Sequence, residues 1–357
     1  MYTKLESLRG VSACMVALGH SRFTYGESQI VFVQNNYLFV DFFFILSGFV
    51  IAFVYSNKIR EGMSFRSYFI LRFGRIYPLH FFVLLMFVPA ILLKQYLYSI
   101  GISIEDPSVK NNIYTFLLNI TLLHSMGLHN ILTWNLPSWS ISVEFFTYMA
   151  FYFLSLSLDK KNNLLTPLLI SIICYGILIN LGRKEWDIST DFGFIRCMAA
   201  FYIGVLIYRI KKYNLLIDNI KKNVYLYEIL SVTFAGIGIT LAGEYQLLNL
   251  FSIISLSLVV LIFSSTENGI IGNILNINIL RKIGAWSYSI YMLHWFIFAG
   301  ITNLIENLLK FDLNEPLGIY SVIANILLLF ITIYISRFTY EYIETVFRKL
   351  AKQKVNP

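Results

Sequence analysis

The sequence predicts an all-α, polytopic membrane protein of about ten transmembrane helices, and three observations predict it. The 357 residues are 57% hydrophobic and only 13% charged, against about 25% charged in a soluble domain. Mean hydropathy is +0.67. Apolar runs of about 20 residues, long enough to cross a bilayer, recur along the chain.

The spans fall near 7–25, 37–56, 74–97, 139–158, 164–181, 192–210, 225–243, 246–264, 283–305 and 317–340. An eleventh apolar stretch, 113–128, is shorter, and charge decides whether it crosses. If it does not, both termini lie on one side with the segments 57–75, 159–163, 209–224 and 265–282. Most of the 28 Lys and Arg then share that side. The outer loops keep Lys110, Arg183, Lys184 and Lys310. If 113–128 crossed, the strongly basic 209–224 loop would lie outside, against the positive-inside rule. We therefore expect ten spans, with 113–128 re-entrant or at the outer surface, where protein or water must cover non-helical backbone. Residues 1–345 read as one membrane domain. Residues 346–357, with Arg348, Lys349, Lys352 and Lys354, read as a short basic cytoplasmic tail, a topology anchor beside anionic membrane lipids.

The net charge of +8 thus reflects topology and gives no reason to expect a nucleic-acid partner. Cys14, Cys174 and Cys197 lie in apolar segments and read as small core residues. No His, Cys or acidic cluster has metal-ligand spacing, so no metal is expected.

Polar, ionisable groups inside membrane helices are costly and face a cavity or a partner. Arg9 and His20 lie eleven residues apart on the first span, roughly 16 Å along the axis and nearly on one face. Histidine exchanges protons near neutral pH and can act as a general base. Asp41, in Val40-Asp41-Phe42-Phe43-Phe44, is the one acid of its span and lies near the same outer end as His20. A His20–Asp41 pair would set the imidazole tautomer, as in hydrolase triads. Arg72 and Arg75 share a helix face above a basic loop carrying Lys58, Arg60 and Arg66, and two guanidinium forks suit phosphates. In Trp139-Ser140-Ile141-Ser142-Val143-Glu144, Ser140 and Glu144 share a face. Glu144 can accept a proton, bind hydroxyls, or pair with Arg9 or Arg196. Arg196 reads as the partner of an acid. His294, in Ser287-Tyr288-Ser289-Ile290-Tyr291-Met292-Leu293-His294, is a cavity-lining hydrogen-bonding group or a second catalytic one. His80, His124 and His129 show no arrangement beyond packing or interfacial roles.

Together, Leu8-Arg9-Gly10 with His20, Asp41 through Phe49, Arg72-x-x-Arg75-Ile76-Tyr77-Pro78, Trp139 through Phe145, and Ser287 through His294 resemble the acyltransferase 3 family, from about residue 3 to 345. The resemblance implies an integral membrane O-acyltransferase of the bacterial cytoplasmic (inner) membrane. Such an enzyme moves an acyl group, usually acetyl from acetyl-CoA, onto hydroxyls of an envelope or exported glycan. It makes His20 the expected catalytic residue, with Asp41 and Glu144 beside it. Arg72 and Arg75, with Arg9, become the acyl-CoA donor contacts. Trp139, Ser140, His294 and Arg196 are the expected glycan-acceptor contacts. No fused hydrolase-like domain is expected after the last span. The expectation is direct acylation of the acceptor or hand-over to a separate periplasmic transferase. Intramembrane His, Asp, Glu and Arg also suit the proton relay of a transporter or flippase. The single arginine-lined entrance and the lack of discernible repeats weigh against that alternative.

Overall fold

The computed structural model describes residues 2–23, 31–103, 105–157, 163–183, 186–214, 217–265, 269–308 and 318–355, and helices are the regular elements found among them. Ten long helices coincide with the ten predicted spans: α1 (Thr3–Gly19), α2 (Tyr37–Arg60), α3 (Phe65–Ser99), α4 (Trp139–Ser157), α5 (Leu165–Asn180), α6 (Gly193–Lys212), α7 (Val224–Leu241), α8 (Gln246–Ser265), α9 (Ser287–Leu308) and α10 (Ile319–Thr339). A π-helical turn, Tyr340–Glu344, joins α10 to a last helix, α11 (Thr345–Val355). Among the described residues, seven helices are long and apolar enough to cross a membrane by length and composition. The other three, α1, α4 and α5, are shorter or carry polar side chains that neighbours cover. Lys184, Lys310, nearly all of 159–163, and residues 24 and 25 of the first expected span lie outside the described residues.

The 113–128 stretch does not cross. Its helix, Ile113–Ile120, has 8 residues and is opened by an Asn112–Thr115 capping box. Eight residues rise about 12 Å, well short of a roughly 30 Å hydrocarbon layer. Turns follow as far as Ser138. Large apolar side chains such as Leu92 and Leu93 on α3 and Ile326 and Phe330 on α10 point outward, as a lipid-facing belt requires.

Apolar lipid gives little drive for helix pairing, so membrane helices associate where small residues let backbones touch. Glycines make two such crossings here. On α2 and α6, a Cβ at Gly48 would fall 1.8 Å from the Phe201 carbonyl oxygen, and one at Gly204 would fall 1.9 Å from that of Ile45. On α1, Gly10 lies on Gly284 of the short helix Asn278–Ala285; a Cβ at Gly10 would be 2.6 Å from the Gly284 nitrogen. That helix leads directly into α9, so the Gly10 contact seats α9 alongside α1. The first crossing aligns Asp41 with Arg196, and the second aligns His20 with His294.

Two boundaries differ from expectation. The first helix ends at Gly19, and His20 occupies its C-terminal cap with its backbone N–H on Val16 and Ala17 carbonyls, each 3.2 Å away. α3 begins nine residues before the expected span, because Ser64 caps it by accepting from the Ser67 N–H at 3.2 Å. Arg72 and Arg75 therefore sit inside a continuous helix rather than at a loop entrance.

Candidate active site

At one end of the bundle lie the α2–α3 turn, the start of α1 and α11; we call it the basic end. A cavity of about 1140 Å³ opens there, comparable with or larger than sites that hold sizeable ligands. Its wall carries six cations, Arg9, Lys58, Arg72, Arg75, Arg348 and Lys352, against two acids, Glu6 and Glu61. Arg72 donates from Nη2 to the Tyr55 hydroxyl and lies over that ring at 4.5 Å, yet its buried Nε has no hydrogen-bond partner. Arg75 donates to Glu344 Oε2 at 2.7 Å, and Glu344 also accepts from the Ser289 hydroxyl at 2.6 Å. Arg9 makes no hydrogen bond or ion pair to the described residues.

A smaller cavity, about 40 Å³, shares Arg9 and Ser47 with the large one. Its walls include Ser140, Glu144, Tyr288 and Tyr291. The lining advances along each element, nearly two turns from Ala285 to Tyr291 on the α9 side and about one turn from Ser47 to Phe43 on α2. The two cavities thus form a path away from the basic end. Glu144 accepts from the Tyr148 hydroxyl at 2.6 Å and from the Ser47 hydroxyl; it pairs with neither Arg9 nor Arg196. Ser140 and the Tyr291 hydroxyl lie 2.7 Å apart.

Beyond Tyr291 comes His294, and then His20. The two imidazole rings are 5.1 Å apart, and Trp295 closes on His20 at 5.8 Å. A backbone carbonyl only accepts, so each contact it makes identifies a protonated ring nitrogen. His20 Nδ1 donates to the Val16 carbonyl at 2.8 Å, which leaves its Nε2 with the lone pair. His294 Nδ1 donates to the Tyr291 carbonyl at 2.6 Å, and its Nε2 is buried without a partner. Both histidines are therefore held in the tautomer whose Nε2 can accept a proton.

The expected His20–Asp41 pair is not formed. Asp41 instead accepts from Arg196, from Nε at 3.0 Å and from Nη2 at 2.8 Å. Arg196 gives its other N–H groups to the Tyr37 carbonyl (2.8 Å), the Ile188 carbonyl (3.1 Å) and Asp187 Oδ1 (3.5 Å). All five guanidinium donors are used. The Trp139 ring faces this guanidinium at 5.3 Å. Asp41, Arg196 and Trp139 thus form a buried brace; like His20 and His294 they line neither cavity, and Asp41 is not the partner of His20 that the sequence suggests. The physical reason is the close α2–α6 crossing at Gly48 and Gly204, which places Arg196 against Asp41.

Several cavity residues escaped the sequence reading. Tyr291 and Tyr288 stand in the motif around His294 but were read as context. Glu344, the buried partner of the cavity residue Arg75, is one of two acids that follow the last expected span. Arg348 and Lys352 were assigned to a tail. Conversely, Arg9, Arg72, Arg75, Glu144, Ser140, His294 and His20 are brought onto or against one path.

A family model described as an acyltransferase domain matches residues 2–340. A curated relative, "Protein 2 in picA locus" from Rhizobium radiobacter, is 34% identical over 103 residues, 29% of this chain and 51% of the relative. The match therefore spans about half the length of that relative. No solved structure matches. With a family match across nearly its whole length and a bundle of membrane-length helices around a buried polar path, the chain belongs to the acyltransferase 3 family of integral membrane O-acyltransferases.

Proposed function

We propose that this enzyme takes an acyl group, acetyl in the simplest case, from acyl-CoA on the cytoplasmic side. It delivers that group to a hydroxyl of a cell-surface or exported glycan on the outer side of a bacterial inner membrane. The observation that carries this reading is a pair of adjoining cavities that runs from a cation-lined mouth to Tyr291, one helical turn short of His294, with His294 and His20 beyond it and their Nε2 atoms free. Acyl-CoA is a substrate with several phosphates and a long, thin thioester arm. The residues present fit it: Arg9 is unpaired, Arg72 Nε is buried without a partner, and the large cavity carries excess positive charge. Guanidinium groups bind phosphate by paired, charge-assisted hydrogen bonds. From Arg9 to His20 the helix rises roughly 16 Å, a span suited to an extended arm.

In this mechanism His20 Nε2 takes the proton from the acceptor hydroxyl. The hydroxyl oxygen attacks the thioester carbonyl carbon, the carbon–sulfur bond breaks, and the departing thiolate receives the proton. The new bond is the ester. Val16 holds the imidazole tautomer, the role expected of Asp41. Glu144, Ser140 and Tyr291 line the passage. The excess of basic residues at the cavity's mouth supports a cytoplasmic position for that end and for both termini.

The test is thioester turnover by the purified full-length protein in detergent or nanodiscs, given acetyl-CoA with a glycan acceptor. Free CoA released with acetylated glycan, read by mass spectrometry, is the expected result. Transport of a glycan or lipid-linked sugar without thioester turnover would replace the enzyme reading with that of a flippase.

A further inference from the structure

The helix after the last span was expected to be a lipid anchor, but it forms part of the cavity wall. Arg348 and Lys352 line the large cavity and make no hydrogen bond or ion pair to the described residues. They lie one turn apart, at i and i+4, so one face of α11 presents both. Arg75 presses on Arg348 as a like charge, and with burial this lowers the Arg348 pKa. A cluster in that state is relieved by a bound anion. The helix is also firmly seated. Gly74, which lies between Arg72 and Arg75, lets α11 lie close on α3; a Cβ there would be 2.6 Å from Ala351 Cβ and 3.4 Å from the Phe347 carbonyl oxygen. Before α11, the buried carboxylate of Glu344 ties the π-helical turn to Arg75. The family match stops at residue 340, so it covers neither device.

We infer that α11 is a phosphate-binding wall of the donor site, with Arg348 and Lys352 taking phosphate groups of the donor beside Arg72 and Arg75. This rests on the acyl-CoA reading of the large cavity and extends it. Phosphate chemistry is shared by CoA and by anionic lipid headgroups, and the experiment separates them.

The full-length protein is placed in nanodiscs of neutral phosphatidylcholine, and CoA affinity is measured by titration. Arg348→Ala with Lys352→Ala is expected to weaken CoA binding about tenfold or more, and to weaken 3′-dephospho-CoA binding as well. Gly74→Ala, which removes no charge, is expected to weaken CoA binding by displacing α11, and Ala351→Gly in the same chain is expected to restore it. Unchanged CoA affinity in the Arg348/Lys352 variant, with Arg72→Ala plus Arg75→Ala still losing affinity, would overturn the wall and leave the donor reading intact. If neither pair matters, the donor reading falls too. If the Arg348/Lys352 variant changes only the response to added phosphatidylglycerol, the helix is a lipid anchor and the inference is wrong.

Discussion

Two arginines in this molecule, one fully buried and one half-buried, are in opposite states. Arg196 is 1% exposed, and every N–H it has meets an acceptor. Arg72, on the wall of the large cavity, keeps a buried Nε with no partner. Both sit on membrane-length helices, where an unpaired charge is costly. The difference separates scaffold from site. Where the protein satisfies a charge completely, nothing is left to bind a ligand. Where donors are left over on a cavity wall, as at Arg9 and Arg72, or lone pairs lie beyond it, as at His294 Nε2 and His20 Nε2, a substrate can complete them.

This contrast can be broken, beginning with the largest effect. Asp41→Ala leaves Arg196 buried with only the exposed carboxylate of Asp187, 3.5 Å away, which costs about 3–5 kcal/mol. Thermal unfolding in detergent should show a large drop in midpoint or poor accumulation. The double variant Asp41→Leu with Arg196→Met should recover much of it, since apolar replacement of a buried pair is often near neutral. An Asp41→Ala protein of normal stability that has lost turnover would return Asp41 to the catalytic group.

Arg72→Ala plus Arg75→Ala should weaken CoA binding about a hundredfold, from two charged hydrogen-bond donors. Equilibrium titration measures it. An affinity within error of the native protein's would detach the large cavity from the donor. A smaller effect, about tenfold on the transfer rate at unchanged CoA affinity, is expected for His294→Gln, which removes one hydrogen-bonding ring nitrogen beside His20. Pre-steady-state acetyl transfer reads it. Smallest is Arg22→Ala: the Arg22–Glu306 pair, 2.5 Å apart and half-exposed on the arginine side, should contribute no more than about 1 kcal/mol. A larger loss of midpoint would mean that this pair is part of the scaffold after all.

Hydropathy and charge placed the ten long helices and kept 113–128 out of the count, because length and the positive-inside bias act locally along the chain. Arg9, His20, Arg72 and Arg75 were legible because intramembrane polar residues are conspicuous against an apolar background. Their partners were not. Asp41 looked like the companion of His20 because a short loop joins their helices. Its actual partner is 155 residues away, brought there by the Gly48–Gly204 contact. No periodicity orders ten helices around an axis, so a backbone-to-backbone crossing of this kind cannot be read from spacing. That Arg348 and Lys352 line the large cavity was not legible for another reason: a basic cluster at a terminus already has an explanation in membrane topology.

The central claim is that His20 performs the chemistry while the Asp41–Arg196 brace only holds the fold. Single-turnover transfer of acetyl from labelled acetyl-CoA, measured beside CoA affinity and unfolding midpoint for His20→Ala, tests it most directly. The account predicts a transfer rate lower by about 10²–10⁴-fold, with affinity and midpoint unchanged. Transfer at the native rate, or a loss that merely follows a fallen midpoint, would contradict it.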